Sequence, residues 1–510
     1  MVRDHGALLP APAAVRPVRP PAGPSRRRGP VPAGQPVRPR QPGPLQAVAL
    51  RDALGLRGDH LRSPEPPAAG SARPGRDQEL RVNDLTEARP IKASLRVPGD
   101  KAISHRAALL AVLAEGRTTI RSFSPAGDCE ATLRVLRALG VRHGRDGEDL
   151  WVEGVGGEWR GAHPPEGHID CGRSGTTMRL AAGLLAAAPG TSVLTGHPQL
   201  LRRPMERVAE PLRSMGADVR SEGGGGTAPL TITGGPLRGI RYRLPVASAQ
   251  VKSAVLFAGI QADGTTSVIE TIPTRDHSER MLSAMGAGVR VTTVDGGAEI
   301  ALERSALRPL ELLVPGDFSS AAPLIAAAAL LRGSDLSVRG VGLNPTRTGL
   351  LRVLGRMGGD FIAETAGSHP EPWGEVRVRH QPLAATAVRP EEVPSLIDEL
   401  PLVGVLATQA GGTTEVRGAA ELRLKESDRI GGLVEGLRAL GAEAEALEDG
   451  FVVTGPTPLR GGRCDALDDH RLAMAFAVAA LVASSRVEVK GMGFVGDSFP
   501  GFIESLEALR

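Results

Sequence analysis

One six-residue pattern returns along the chain and restricts what it can fold into. Leu136-Arg137-Ala138-Leu139-Gly140-Val141 recurs as Leu212-Arg213-Ser214-Met215-Gly216-Ala217 and as Leu282-Ser283-Ala284-Met285-Gly286-Ala287. It returns as Leu354-Gly355-Arg356-Met357-Gly358-Gly359 and as Leu437-Arg438-Ala439-Leu440-Gly441-Ala442. The copies lie roughly 70 to 85 residues apart, the mark of one supersecondary unit used about six times. Phe502-Ile503-Glu504-Ser505-Leu506 supplies a last, truncated helix. In each copy an apolar helix stops at the glycine, the residue that tolerates the positive φ of a helix C-terminus. A short alternating strand follows, as in Leu230-Thr231-Ile232-Thr233-Gly234 and Phe451-Val452-Val453-Thr454-Gly455. Segments such as Ala321–Leu331 and Leu472–Val482 are apolar nearly all round, so they belong inside a domain with the sheets outside them. The expectation is an α/β fold; a repeat of this kind chooses no function by itself.

Two further segments match each other: Val97-Pro98-Gly99-Asp100-Lys101 and Val314-Pro315-Gly316-Asp317-Phe318. Both are Pro-Gly turns between a strand and a helix, about three repeat lengths apart. Six units arranged as two domains of three would make these the two passages of the chain between domains. The expected organisation is residues 89–100 with 317–510 as one domain and 101–316 as the other, with a ligand cleft between them.

A sequence pI of about 9.3 suggests nucleic-acid binding until the charge is located. Residues 1–82 hold 14 Arg, no Lys and 6 acids, or +8; the whole chain is +4, which leaves −4 for the remainder. The basicity belongs to the leader, and an argument for nucleic acid from overall charge fails. Residues 1–88 are rich in Pro and Arg with little hydrophobic periodicity, so disorder is expected there. Two other readings stand beside it: a start assigned too early, with Val82 as the initiation codon, and an Arg-rich targeting peptide, which the prolines disfavour. No apolar run is long enough to span a membrane. Cys129, Cys171 and Cys464 show no paired spacing, which argues against disulfides or a zinc site and suits the cytoplasm. Of 61 basic residues only Lys92, Lys101, Lys252, Lys425 and Lys490 are lysines, so each marks a place where an ammonium that can move a proton was kept.

Several short motifs carry candidate chemistry. Pro98-Gly99-Asp100-Lys101-Ala102-Ile103-Ser104-His105-Arg106 opens an apolar helix with cations beside its N-terminus, which suits an anion. Cys171-Gly172-Arg173-Ser174-Gly175-Thr176-Thr177-Met178-Arg179 is a second small-residue turn into a helix, where Gly175 admits a close ligand. Arg202-Arg203-Pro204-Met205, Ala247-Ser248-Ala249-Gln250-Val251-Lys252-Ser253 and Thr274-Arg275-Asp276-His277 follow. The C-terminal half adds Leu396-Ile397-Asp398-Glu399-Leu400-Pro401, Leu424-Lys425-Glu426-Ser427-Asp428-Arg429 and Asp468-Asp469-His470-Arg471. Asp398 and Glu399 sit among apolar residues, where burial is expected to raise a carboxylate's pKa. Taken singly, each motif reads more readily as surface than as site.

Together, in this order and spacing, the motifs resemble the EPSP synthases, the 3-phosphoshikimate 1-carboxyvinyltransferase family of enolpyruvyl transferases, from about residue 89 to the C-terminus. The resemblance implies two domains of three βαβαββ units each, every domain an inside-out α/β barrel with helices inside and sheets outside. It implies transfer of the enolpyruvyl group of phosphoenolpyruvate to the 5-hydroxyl of shikimate 3-phosphate, on the way to chorismate and the aromatic amino acids. Lys101 would meet both substrates. Ala102, Arg106, Ser248, Ala249, Gln250, Arg275, Asp398 and Lys425 would surround shikimate 3-phosphate. Gly175, Arg203, Gln250, Arg429 and Arg471 would hold phosphoenolpyruvate. Asp398 would be the base, and Glu426, helped by Lys101, would handle the proton at C3. A cytoplasmic monomer is implied, with these two small molecules as its partners and with no cofactor, metal, nucleic acid or membrane.

Three positions depart from the family's pattern: Ala102 for the usual Ser, Arg173 for the usual Asn, and Asp497 where some members carry a Lys that binds phosphoenolpyruvate. Losing the Ser hydroxyl removes one hydrogen bond of about 0.5 to 1.5 kcal/mol. Arg173 would add a cation to an anion site or crowd it. The competing readings are a UDP-amino-sugar enolpyruvyl transferase and a diverged, non-catalytic binding protein of the same fold. Against the first, the opening motif reads Lys101-Ala102-Ile103 and no Cys lies within Pro198–Pro204.

Overall fold

The computed structural model describes residues 89–159 and 167–509, all within the unit Pro67–Arg510. The leader expected over 1–88 therefore lies outside the described residues.

The repeated six residues are helix ends closed in one way. Gly140, Gly216, Gly286, Gly358 and Gly441 have φ of 69°, 106°, 97°, 83° and 87°. Beyond each, the next amide reaches back to the carbonyl of the pattern's first leucine: Val141 to Leu136 at 3.0 Å, Ala217 to Leu212 at 3.1 Å, Ala287 to Leu282 at 2.9 Å. Gly359 to Leu354 at 2.9 Å and Ala442 to Leu437 at 3.0 Å complete the set. This is the Schellman closure, which needs glycine at the left-handed position and satisfies carbonyls the helix leaves open.

Between these ends the chain lays down sheets of one design. His168–Asp170, Thr191–Thr195, Asp218–Gly223 and Thr227–Thr233 alternate with helices Gly175–Leu185 and Glu206–Ser214 before closing on an antiparallel hairpin. Each four-stranded sheet has one parallel pair at an edge and two antiparallel ladders. A two-stranded parallel sheet, Gly462–Asp465 with Val487–Lys490, is the shortened sixth member and is followed by helix Phe502–Ala508. None of the six sheets closes on itself.

Two hydrophobic cores result. One is built from residues between Ile103 and Val314, the other from Ile91 and Val97 with residues between Phe318 and Leu509. Three helices of each core, including Phe318–Leu330 and His470–Ala480, are buried almost all round, so a uniformly apolar sequence costs nothing there. These two begin before the apolar runs read from sequence because Asp317 and Asp469 cap them from outside.

The two Pro-Gly-Asp segments meet. Gly99 bridges Gly316, Asp100 N–H donates to the Pro315 carbonyl at 2.8 Å, and Asp317 N–H donates to the Pro98 carbonyl at 2.8 Å. Gly99 is obligatory at this crossing, because a Cβ would lie 2.0 Å from the Ser122 carbonyl oxygen. Among the described residues no helix is long and apolar enough to cross a membrane.

Candidate active site

Six buried helices bring their N-terminal ends to one cavity of about 470 Å³. Lys101–Val112, Gly175–Leu185 and Ala249–Gly259 come from one core; Phe318–Leu330, Leu400–Thr408 and His470–Ala480 come from the other. Side-chain oxygens of Asp100, Ser174, Ser248, Asp317 and Asp469 accept from first-turn amides and fix those ends. Helix N-termini favour anions, and here several face the same space. Ten Lys and Arg side chains line the cavity against five Asp and Glu, so the charge balance also selects an anionic ligand.

Every residue proposed from sequence lines this cavity: Lys101, Ala102, Arg106, Gly175, Arg203, Ser248, Ala249, Gln250, Arg275, Asp398, Lys425, Glu426, Arg429 and Arg471. Contacts between the two cores run through them. Arg275 donates to Asp398 at 2.5 Å, Arg203 pairs with Glu426 at 3.1 Å, and Gln199 donates to the Glu426 carbonyl at 2.5 Å. Arg429 is buried and reaches Asp398 at 3.3 Å, Glu426 at 2.5 Å and Asp469 at 2.8 Å. Gly175 leaves room for guanidinium groups: a Cβ there would meet Arg203 at 2.6 Å and Arg179 at 3.1 Å.

Burial does not treat the two neighbouring carboxylates alike. Glu399 is raised by burial, as the sequence suggests, and takes a short hydrogen bond from Ser319. Asp398 goes the other way. Burial pushes it up, but Arg275, Lys425, Arg471 and Arg429 outweigh that and hold it well below the usual range. The expectation of a raised Asp398 is corrected accordingly; its ionised form can accept a proton. Glu426 is likewise held ionised by Arg429 and Arg203 against the effect of burial. Lys101 is raised, burial being overcome by Asp128 at 2.8 Å. Lys425 is lowered to about 8 by burial, with Asp398 opposing.

Arg471 owes its place to a proline. Pro323 interrupts helix Phe318–Leu330 and has no N–H to offer the Ser319 carbonyl four residues back. That carbonyl instead accepts from the Arg471 guanidinium at 3.1 Å.

Sequence reasoning missed several lining residues. Arg179 stands in a quoted motif but received no role; it is buried, donates to Gln250 at 2.6 Å and lies near Arg203 and Arg207. Asp128 and Arg347 belong to no motif, and their signal exists only in three dimensions. Arg347 reaches Asp317 at 3.0 Å and Asp100 at 3.5 Å, the caps on either side of the crossing. Arg173 neither adds its charge to the cavity nor crowds it. It turns to Asp497 at 3.2 Å, donates to the Asp468 carbonyl at 2.6 Å and lies 3.8 Å over the Phe494 ring. Two departures from the family's pattern thus pair with each other. Among the described residues no group of three His, Cys, Asp or Glu is arranged to hold a metal.

The family model for EPSP synthase (3-phosphoshikimate 1-carboxyvinyltransferase) matches residues 85–506. The 3-phosphoshikimate 1-carboxyvinyltransferase of Halorhodospira halophila is 50% identical over 421 residues, 81% of this chain and 93% of that one. The chain belongs to the EPSP synthase family. A Bacillus licheniformis relative of the same name is 43% identical over 425 residues, 82% of this chain and 97% of its own. The solved EPSP synthase of Acinetobacter baumannii superposes with a TM-score of 0.72 at 40% identity, covering 82% of this chain and 96% of that one. The enolpyruvyl transferase NikO of Streptomyces tendae has a TM-score of 0.67 at 19% identity, covering 82% and 95%, a likeness of fold. These comparisons agree with two α/β domains.

Proposed function

We propose that this EPSP synthase family enzyme joins phosphoenolpyruvate to shikimate 3-phosphate, releasing 5-enolpyruvylshikimate 3-phosphate and inorganic phosphate. The observation that carries the reading is the convergence of cations from both cores on one cavity that also holds an ionised carboxylate, Asp398. Both substrates are phosphorylated carboxylates, and bidentate guanidinium groups suit such anions.

In this reading Arg203, Arg429 and Arg471, beside Gly175, hold phosphoenolpyruvate. Arg106, Ser248, Ala249, Gln250, Arg275 and Lys425 hold shikimate 3-phosphate. Asp398 takes the proton of the 5-hydroxyl as its oxygen bonds to C2 of phosphoenolpyruvate, while C3 gains a proton. The tetrahedral intermediate then expels phosphate as C3 loses a proton, which restores the double bond. Glu426 handles the C3 proton with Lys101 nearby. Phosphoenolpyruvate would draw Arg203 and Arg429 away from Glu426, weakening what keeps that carboxylate ionised and making it able to carry a proton.

We read each core as an inside-out α/β barrel of three units, with domains 89–100 plus 317–510 and 101–316; the separate cores and the buried helices support this. A cytoplasmic monomer fits a cavity built by one chain and three free, buried cysteines. The test is phosphate release from phosphoenolpyruvate with and without shikimate 3-phosphate. Release that does not depend on shikimate 3-phosphate would overturn the reading.

A further inference from the structure

Lys252 is one of the five lysines, and nothing in the chemistry above uses it. It is fully buried in helix Ala249–Gly259, with its Nζ 3.0 Å from Glu270 and 2.7 Å from Glu279. Burial would lower its pKa, but the two carboxylates outweigh that, so it is a cation. The second oxygen of Glu279 has no hydrogen-bond partner among the described residues. An apolar cluster in such a place is often as stable as an ionic one, so stability alone does not explain these charges.

What the three residues share is their reach. The Glu270 oxygen that meets Lys252 also accepts from the Thr274 amide at 3.1 Å and the Thr274 hydroxyl at 2.7 Å. Thr274 immediately precedes Arg275, which faces the cavity and donates to Asp398. Glu279 follows Ser278, whose hydroxyl accepts from Arg106 at 3.0 Å and donates to Ser253 at 2.8 Å. Ser253, next to Lys252, accepts from Arg106 at 3.0 Å as well. One ammonium therefore ties together the helix that begins with Ala249 and Gln250, the turn that presents Arg275, and the helix that holds Arg106.

We propose that Lys252, through Glu270 and Glu279, is a positioning residue for the shikimate 3-phosphate side of the cavity. The inference rests on the functional reading above. It touches no substrate; it fixes the spacing between groups that do, so its loss should be felt by one substrate and not the other.

The test is steady-state kinetics on the full chain with each substrate varied in turn, alongside thermal melting. Thr274→Val removes only the hydroxyl that ties the turn to Glu270 and keeps the side chain's shape. It should raise KM for shikimate 3-phosphate about three- to tenfold and leave KM for phosphoenolpyruvate and the melting temperature in place. Lys252→Met should do the same more strongly; should it fail to fold, Thr274→Val decides. An unchanged KM for shikimate 3-phosphate in Thr274→Val, or both KM values rising together with a lower melting temperature, would overturn the inference alone. A wild-type chain that ignores shikimate 3-phosphate would overturn the functional reading and this inference with it.

Discussion

Asp398 lies 2.5, 3.3 and 3.9 Å from Arg275, Arg429 and Lys425, and these cations keep it ionised although it is buried. Replacing it with the isosteric, neutral Asn should lower kcat about 10²- to 10⁴-fold while moving either KM far less; equal changes in kcat and KM would contradict a base at this position. Lys425, lowered to about 8, gives a second handle. It is a cation below that pH and neutral above it, so KM for shikimate 3-phosphate should rise as pH passes through about 8. Lys425→Arg stays charged and should keep the profile flat to about pH 9; a break at the same pH in both proteins would point to another group. The wording of the motifs made Asp398 and Lys425 legible as site residues. Their charge states were not legible, because Arg275 stands 123 residues from Asp398 in sequence and reaches it from the other core. Asp128 and Arg347 escaped for the same reason: each acts on partners that only folding brings near.

The helix ends were the most legible elements, since Leu-x-x-Leu-Gly or Leu-x-x-Met-Gly encodes a local closure whose hydrogen bonds stay within six residues. Helix starts were less so. Phe318–Leu330 begins three residues before the apolar run read from sequence because its first turn carries Ser319 and Ser320 behind the Asp317 cap. The same helix holds Pro323, which leaves the Ser319 carbonyl to Arg471. Pro323→Ala would restore the N–H and close the missing helical bond. The protein should become more stable by about 1–3 kcal/mol in urea unfolding, while KM for phosphoenolpyruvate rises as Arg471 loses an anchor. Greater stability with an unchanged KM would show that Arg471 does not depend on that carbonyl.

Across the whole molecule, the two cores meet through charged contacts around the cavity, and Arg173 with Asp497 adds one beyond its lining. Burial, then repulsion from Asp128, raises Asp497 to about 6 in spite of Arg173. Its folded pKa exceeds its unfolded value of 3.8, so the ionised form is disfavoured in the folded state above about pH 6. That cost fades as pH falls from about 6 to below 4, where both states bind the proton. Asp497→Asn should therefore stabilise the protein by about 1 kcal/mol at pH 7, a figure reduced for its partial exposure, and by nothing near pH 4. A destabilised variant at pH 7 would mean that the ion pair with Arg173 outweighs the burial. Two domains, their crossing point and the cleft between them could be expected from six repeats and two matched turns. The pairing of Arg173 with Asp497 could not, since their positions are far apart and each departs from the family's pattern by itself. The transfer itself is tested most directly by following 3-¹³C-phosphoenolpyruvate by NMR with shikimate 3-phosphate and the full chain. The labelled carbon should move into the vinyl ether of 5-enolpyruvylshikimate 3-phosphate in step with phosphate release. Labelled pyruvate with no vinyl ether, or no change at all, would contradict the assignment.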